Sequence, residues 1–177
     1  MADHFPGEIH IGGPIPRKLL NKLVKVIVAQ GVSLEDYGAP AATEEMLRKE
    51  FGEGKVIDLF HEQARYGQFD DLEAFLVRHH IHFDRHSDGR YEFDAEKVFY
   101  RGGKEPVIFP SGQSGSILLR QDDVMRILDD GGLDDHRKVE AIRELACPPE
   151  ATPLAPVRIV SPLSQKGGDR RCPGRRK

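Results

Sequence analysis

The chain lacks tryptophan and has only two cysteines, Cys147 and Cys172. Two cysteines cannot build the disulfide framework of a small secreted domain, and they would need histidine partners to form a structural zinc site. No apolar run approaches the roughly 20 residues that a membrane helix needs, and no apolar signal segment follows Met1. We therefore expect a soluble protein of the reducing cytoplasm, with no membrane partner.

Apolar residues are also scarce. Of 177 residues, 38% are hydrophobic and 31% are charged, whereas globular domains usually have an apolar share of roughly 45–50% on a slightly different residue set. The core should be modest and the surface heavily charged. We predict a single α+β domain over residues 1–147 and a Pro- and Arg-rich tail over 148–177, disordered apart from a short strand at 157–160.

The charge is unevenly distributed along the chain. The whole sequence carries −3, but residues 161–177 carry a net +5, so the body is strongly acidic. An acidic body does not favour nucleic-acid binding by the domain itself. The tail could bind nucleic acid or an acidic partner. Its basic residues are Lys166, Arg170, Arg171, Arg175, Arg176 and Lys177.

Hydrophobic periodicity predicts helices and strands in alternation. Leucine, valine and isoleucine at helical spacing predict a helix over 17–30. Three more helix starts are predicted at the capping residues Thr43, Asp70 and either Asp134 or Asp135. Further elements are a helix over 122–129 and strands at 9–11, 55–64, 97–101, 107–109 and 117–119. In the last helix, Val139, Ile142 and Leu145 are expected to face inward. This order predicts an α+β fold with helices on one face of a mostly antiparallel sheet, with a ferredoxin-like open sandwich as the leading form.

The segment 81–94 alternates apolar and polar residues on both sides of a Ser-Asp-Gly turn, which predicts a β-hairpin. A two-residue turn at Asp88 and Gly89 would mix polar and aromatic side chains on each face. A three-residue turn instead pairs Phe83 with Phe93 and gathers the aromatic side chains on one face. We choose the second register because strand register follows the buried face.

The opposite face of this hairpin carries His82, Asp84, His86, Arg90, Glu92 and Asp94. In the chosen register Asp84 lies opposite Glu92, which costs up to about 1 kcal/mol unless a cation or a proton neutralises the pair. Imidazole and carboxylate together suit Zn, Mn or Fe, so His82, Asp84, His86 and Glu92 are candidate metal ligands. A partner-binding face and a plain solvated face are the alternatives. We predict no cofactor, with a divalent metal as the open alternative.

No complete catalytic motif is present. His61-Glu62 lacks the second histidine of the H-E-x-x-H zinc motif, and the glycines of 111–116 lack the lysine of a phosphate-binding loop. The sequence therefore favours a small non-catalytic binding or regulatory protein that contacts a protein partner. One alternative is a metal-assisted or acid–base enzyme centred on 81–94. Another is a nucleic-acid accessory protein that uses the basic tail.

Overall fold

The structure, a computed structural model, describes residues 3–89, 94–103, 105–112 and 115–161. In chain order its elements are β1 (His4–Gly12), β2 (Pro14–Pro16), α1 (Arg17–Ala29), α2 (Glu44–Glu53), β3 (Ile57–Arg65), α3 (Asp70–Arg78), β4 (His82–Ser87), β5 (Glu96–Tyr100), β6 (Val107–Pro110), α4 (Gln121–Leu128), α5 (Asp135–Ala146), a 3-10 turn (Pro149–Ala151) and β7 (Arg158–Val160). None of these helices has the length and apolar character needed to span a bilayer.

Five strands form one sheet in the order β3-β1-β4-β5-β6, and each neighbouring pair is antiparallel. The short strands β2 and β7 pair with each other in parallel. Helices packed on a mostly antiparallel sheet confirm the predicted α+β fold. The ferredoxin-like sandwich stays a possibility only, because the chain order of the main sheet differs from the β-α-β-β-α-β order of that fold.

The helices α1, α2 and α3 bury their apolar stripes in one core with alternate residues of the sheet. In α1 the buried residues are Leu19, Leu23, Val24 and Ile27, which lie on one side of a helix. The sheet contributes Ile9, Ile11, Ile57, Leu59, Phe83, Val98 and Tyr100. We call this side of the sheet the inner face and the opposite side the outer face.

The predicted hairpin register is wrong. β4 pairs along one edge with β5, where Phe83 lies opposite Tyr100 and Asp84 opposite Phe99, and along its other edge with β1. Tyr100 therefore takes the position opposite Phe83 that was predicted for Phe93, whereas Glu92 and Phe93 themselves lie outside the described residues. The pairing of β4 with β5 buries Val98 and Tyr100 in the core. Burial stabilises by about 1.5–3 kcal/mol for each large apolar side chain, which outweighs the preference of the sequence for a short turn after β4.

Residues 148–160, which the sequence analysis places in the tail, pack against the domain. The predicted strand at 157–160 is observed as β7, and Val157 is buried in the core. Backbone hydrogen bonds join Gly13 N–H to the Ala155 carbonyl (2.8 Å) and Val157 N–H to the Lys55 carbonyl (3.2 Å). The domain boundary after residue 147 stays a prediction, and residues 162–177 lie outside the described residues.

Candidate functional site

The candidate residues of β4 share the outer face but have separate partners. His82, Asp84 and His86 alternate with Phe83 and Arg85, which are buried on the inner face. Strand alternation therefore assigned the faces correctly, although the register was wrong. Of the remaining candidates, Asp94 is exposed, whereas Arg90, Glu92 and the tail residues Lys166, Arg170, Arg171, Arg175, Arg176 and Lys177 lie outside the described residues.

Four side chains form a polar row across β3, β1 and β4, which we call the outer-face network. Sheet register aligns them, since His10 lies opposite Asp58 and Glu8 opposite His86. His10 Nδ1 is 2.7 Å from Asp58 Oδ1 and its Nε2 is 3.7 Å from Glu8 Oε1. The same Glu8 oxygen is 3.4 Å from His86 Nδ1. The row thus alternates carboxylate and imidazole.

This alternation shifts the protonation of its members. The nearby imidazoles of His10 and then of His86 hold the pKa of Glu8 far below the ordinary 4.5, although burial opposes the shift. Burial alone would lower the pKa of His10, but its contacts with the carboxylates of Glu8 and Asp58 outweigh burial and raise that pKa above 6.5. The network therefore favours a charged Glu8 beside a protonated His10.

A loop residue lies near the network. The ring of Tyr37 packs edge-on against Phe60 of β3 at 5.5 Å between centroids. Burial, and then the negative charges of Glu8, Asp88 and Asp36, raise the pKa of the Tyr37 phenol to about 12. Tyr37 stays neutral at physiological pH and adds no further charge to the network.

His86 ends the row with one nitrogen unused. The residue is 6% exposed, and its Nε2 has no hydrogen-bond partner among the described residues. A buried polar atom without a partner costs about 1–3 kcal/mol unless water or a ligand satisfies it. Because Glu8 faces Nδ1, the geometry favours a proton on Nδ1 and a free lone pair on Nε2.

Asp84 is joined to Arg101, the residue that follows β5. Arg101 Nη1 lies 2.5 Å from Asp84 Oδ1 and also donates to the Phe83 carbonyl at 3.1 Å. Its Nη2 donates to the Thr152 carbonyl at 2.5 Å. Arg101 therefore ties β4 and β5 to the C-terminal segment, and its guanidinium offsets the charge of Asp84.

His82 lies apart from both groups. Its ring is close to two glycines with positive φ: a Cβ added to Gly13 would lie 2.8 Å from Nδ1, and one added to Gly102 would lie 3.1 Å from Nε2. Burial and the nearby charge of Arg101 lower the pKa of His82 below 6.5. His82 is therefore a neutral side chain packed between two turns.

These contacts bear on the candidate metal ligands. His82, Asp84 and His86 face three different sets of neighbours, and Glu92 lies outside the described residues. Within the part of the chain that the structure describes, no three His, Cys, Asp or Glu side chains are arranged to hold a metal ion.

A groove runs beside Asp84 on the outer face, with a volume of about 640 Å³. One wall is formed by the sheet residues Asp84, Lys97 and Phe99, and the opposite wall includes Cys147 and Thr152 of the C-terminal segment. Gly115, which also lines the groove, lies beside the His86 ring: a Cβ added to Gly115 would be 3.8 Å from His86 Cε1.

The inner face contains an ionic group that the sequence analysis missed. Arg85 is 2% exposed, and its Nη2 lies 2.5 Å from Glu96 Oε1 while its Nε lies 2.9 Å from Glu73 Oε1. Only the Glu96 contact has the direction of a hydrogen bond. Glu73 also accepts a hydrogen bond from the backbone N–H of Phe69 (3.0 Å). The N-cap of α3 is Phe69, so the prediction of Asp70 as the cap is wrong by one residue: Asp70 is the first residue of the helix.

The helices α4 and α5 carry three exposed apolar side chains. Neither helix contains a buried residue. Met125 and Leu128 are each 44% exposed and lie on one side of α4, three residues apart. Val139 is 49% exposed, so its predicted inward orientation is wrong, whereas Ile142 and Leu145 are half-buried. We call Met125, Leu128 and Val139 the helical-pair surface.

Two leucines just before α4 are also exposed to solvent. Leu118 is 51% exposed and Leu119 39% exposed. The strand predicted at 117–119 is only an isolated bridge, from Ser111 to Ile117. The adjacent 121–146 segment contains eight acidic and four basic residues, a net charge of −4. The surface is therefore both apolar and acidic.

Sequence reasoning missed Glu8, His10 and Asp58 as members of the outer-face network. A signal was available, since Glu8 and His10 alternate with Ile9 and Ile11 and therefore had to share the polar face of β1. No local signal identifies Asp58 as their neighbour, because the pairing of β1 with β3 crosses two helices.

Comparisons with protein-family models, with curated proteins and with solved structures found no significant match for this chain.

Proposed function

We propose that the protein is a small non-catalytic binding protein of the cytoplasm that contacts a protein partner through the helical-pair surface. The observation that supports this is the exposure of Met125, Leu128 and Val139 on two helices that bury no residue. Exposed apolar groups within a polar rim are typical of protein interaction sites. The cytoplasmic location rests on the small number of cysteines, one of which, Cys147, is an exposed free thiol.

The charge around this surface specifies the chemistry of the partner. Segment 121–146 has a net charge of −4, so the partner segment should be basic. Because the exposed side chains are aliphatic and thioether groups, the segment should also present apolar residues along one side. A basic amphipathic helix meets both requirements, with its apolar side on Met125 and Leu128 and its lysines towards the acidic rim.

The outer-face network is a weaker candidate for the partner-binding site than the helical-pair surface. Glu8, His10, Asp58 and Asp84 already have protein partners. The acid–base alternative rests on the unpaired His86 Nε2, an atom that is buried from solvent. We therefore place partner contact on the helices and give the network a structural role.

The test uses a synthetic amphipathic peptide of leucine and lysine, with binding measured by fluorescence anisotropy. The variant Met125→Gln/Leu128→Gln changes no charge and keeps good helix formers. Each side chain exposes nearly half its surface, so losing its burial costs about 1 kcal/mol, and the double variant, at about 2 kcal/mol, should weaken binding about thirtyfold. The control is Ile108→Gln, which changes an exposed apolar residue of β6 outside the pair.

Three results would overturn the proposal. One is equal binding by wild type and the double variant. Another is equal affinity for a peptide in which glutamate replaces lysine. The third is binding only after residues 162–177 are deleted, which would make the chain's own basic tail the occupant. The nucleic-acid alternative for that tail predicts salt-sensitive oligonucleotide binding that is lost on deletion of 167–177.

A further inference from the structure

Basic residues converge on the groove between α1 and α3, on the far side of those helices from the outer face. The groove has a volume of about 420 Å³ and is lined by Lys22, Asp71, Ala74, Phe75, Arg78 and His79. This size lies within the range of small-ligand sites, roughly 300–1,000 Å³. Because α1 and α3 come from different parts of the sequence, only the fold brings these charges together.

The positive charges at this groove are not engaged in ion pairs within the described part of the chain, although the carboxylate of Asp71 lies in the same lining. No ion pair among the described residues involves Lys18, Lys22 or Arg78. Lys18 and Lys22 are one turn apart on α1, where like charges destabilise a helix. Arg78 is favoured by the C-terminal end of the α3 dipole, but that dipole does not explain two exposed lysines on α1.

The pKa of His79 is sensitive to the positive charges around this groove. Burial lowers the pKa of His79, and the charges of Arg78, Lys22, His80 and Lys18 lower it further. Of these groups, Lys22 and Arg78 line the same groove as His79. An anion bound among them would reverse this effect, since it would offset their repulsion of the protonated ring.

The rest of the groove selects among anions. The rings of Phe75 and His79 are 4.5 Å apart between centroids and form an aromatic wall beside the cations. Asp71 lies seven residues before Arg78 on α3, about 10 Å away along the helix axis. A second phosphate group at that end would be repelled by Asp71, whereas a hydroxyl or amino group could donate to its carboxylate.

We propose that the α1–α3 groove binds a nucleoside phosphate. Lys22 and Arg78 hold the phosphate end, and Lys18, one turn before Lys22 on α1, adds positive charge beside the groove. Phe75 and His79 give a surface on which the base stacks. Asp71 accepts a hydrogen bond from the sugar or the base. This site is separate from the helical-pair surface and goes beyond the proposed binding of a protein partner.

The test titrates the full chain with adenosine diphosphate, by calorimetry and by NMR of the His79 ring. We expect saturable binding that raises the pKa of His79. Lys22→Glu and Arg78→Glu should each weaken binding about tenfold or more, because each removes a charge-assisted contact and adds repulsion. Both residues are exposed, so the variants should stay folded, as checked by circular dichroism. The control is Lys49→Glu, which makes the same charge reversal at an exposed residue of α2 and should leave the affinity for adenosine diphosphate unchanged.

Two further ligands complete the experiment. Inorganic pyrophosphate should bind at least about fivefold more weakly than adenosine diphosphate, because it lacks a base to stack. Equal affinity for pyrophosphate would overturn the nucleoside assignment. Tighter binding of a single-stranded oligonucleotide, lost in Lys22→Glu, would overturn it in favour of nucleic acid. Absence of saturable binding, or binding unaffected by both variants, would refute the site.

Discussion

Replacing Arg85 by alanine should severely destabilise the fold. Arg85 is the most deeply buried charge described here, at 2% exposure, with Glu73 and Glu96 as its ionic partners and the Gly67 carbonyl as an acceptor at 3.3 Å. The alanine variant leaves both carboxylates without a cation and opens a void beside the core. The loss has the same origin as for any buried ion pair that is broken by removing one member.

The magnitude follows from burial. Removing one partner of a buried pair costs about 3–5 kcal/mol, and a domain is stable by only about 5–15 kcal/mol. Glu73 and Glu96 are only 20% and 26% exposed, so water can replace the guanidinium only in part. For a chain of this length a loss of 3–5 kcal/mol lowers Tm by roughly 6–20 °C.

The assay is urea unfolding monitored by circular dichroism, with two comparison variants. Arg143→Ala removes an exposed arginine of α5 and should change the free energy of unfolding by less than about 0.5 kcal/mol. Arg85→Met keeps most of the volume, so its difference from Arg85→Ala measures the void alone. Combining Arg85→Met with Glu73→Gln and Glu96→Gln removes the unpaired charges and should restore much of the lost stability.

Two outcomes would refute this reasoning. If Arg85→Ala costs less than about 1 kcal/mol, the ionic group does not organise the junction of α3, β4 and β5. If the triple variant is no more stable than Arg85→Met alone, uncompensated charge is not the cause of the loss.

Two other predictions follow from the outer face and the C-terminal segment. Because the pKa of His10 is raised in the folded state, protonated His10 stabilises the fold fully below pH 6.5, and this stabilisation is lost as the pH rises through the folded-state pKa. In His10→Gln, the free energy of unfolding in urea should therefore depend less on pH above 6.5 than in the wild type. An unchanged profile would contradict the role assigned to Glu8 and Asp58. Gly12→Ala should displace the Ala155 carbonyl, cost about 1–3 kcal/mol and speed amide exchange in 150–160. Its control, Gly52→Ala, meets no atom within 4 Å and should be neutral or stabilising; equal effects of the two variants would contradict the close approach.

Local pattern was sufficient for much of the fold. The apolar spacing of α1 determined its buried side, because helix geometry places i, i+4 and i+8 together. Thr43 accepts from Met46 N–H at 3.3 Å, and Asp134 from Arg137 N–H at 2.9 Å, as predicted for capping residues. In β4, alternation alone put Phe83 inside and Asp84 outside. These features depend only on residues within a turn or two of one another.

Contacts between residues that are distant in the chain could not be predicted from local pattern. Alternation states which face Glu8 and His86 occupy, but many registers are compatible with each face, and only packing of the whole sheet selects among them. Loop closure adds little cost with length, so it does not favour the nearest partner. The sequence therefore determined the faces and the helix ends, whereas the tertiary structure decided that β4 pairs with β5 and that Asp84 meets Arg101, because this pairing buries Val98 and Tyr100 in the core.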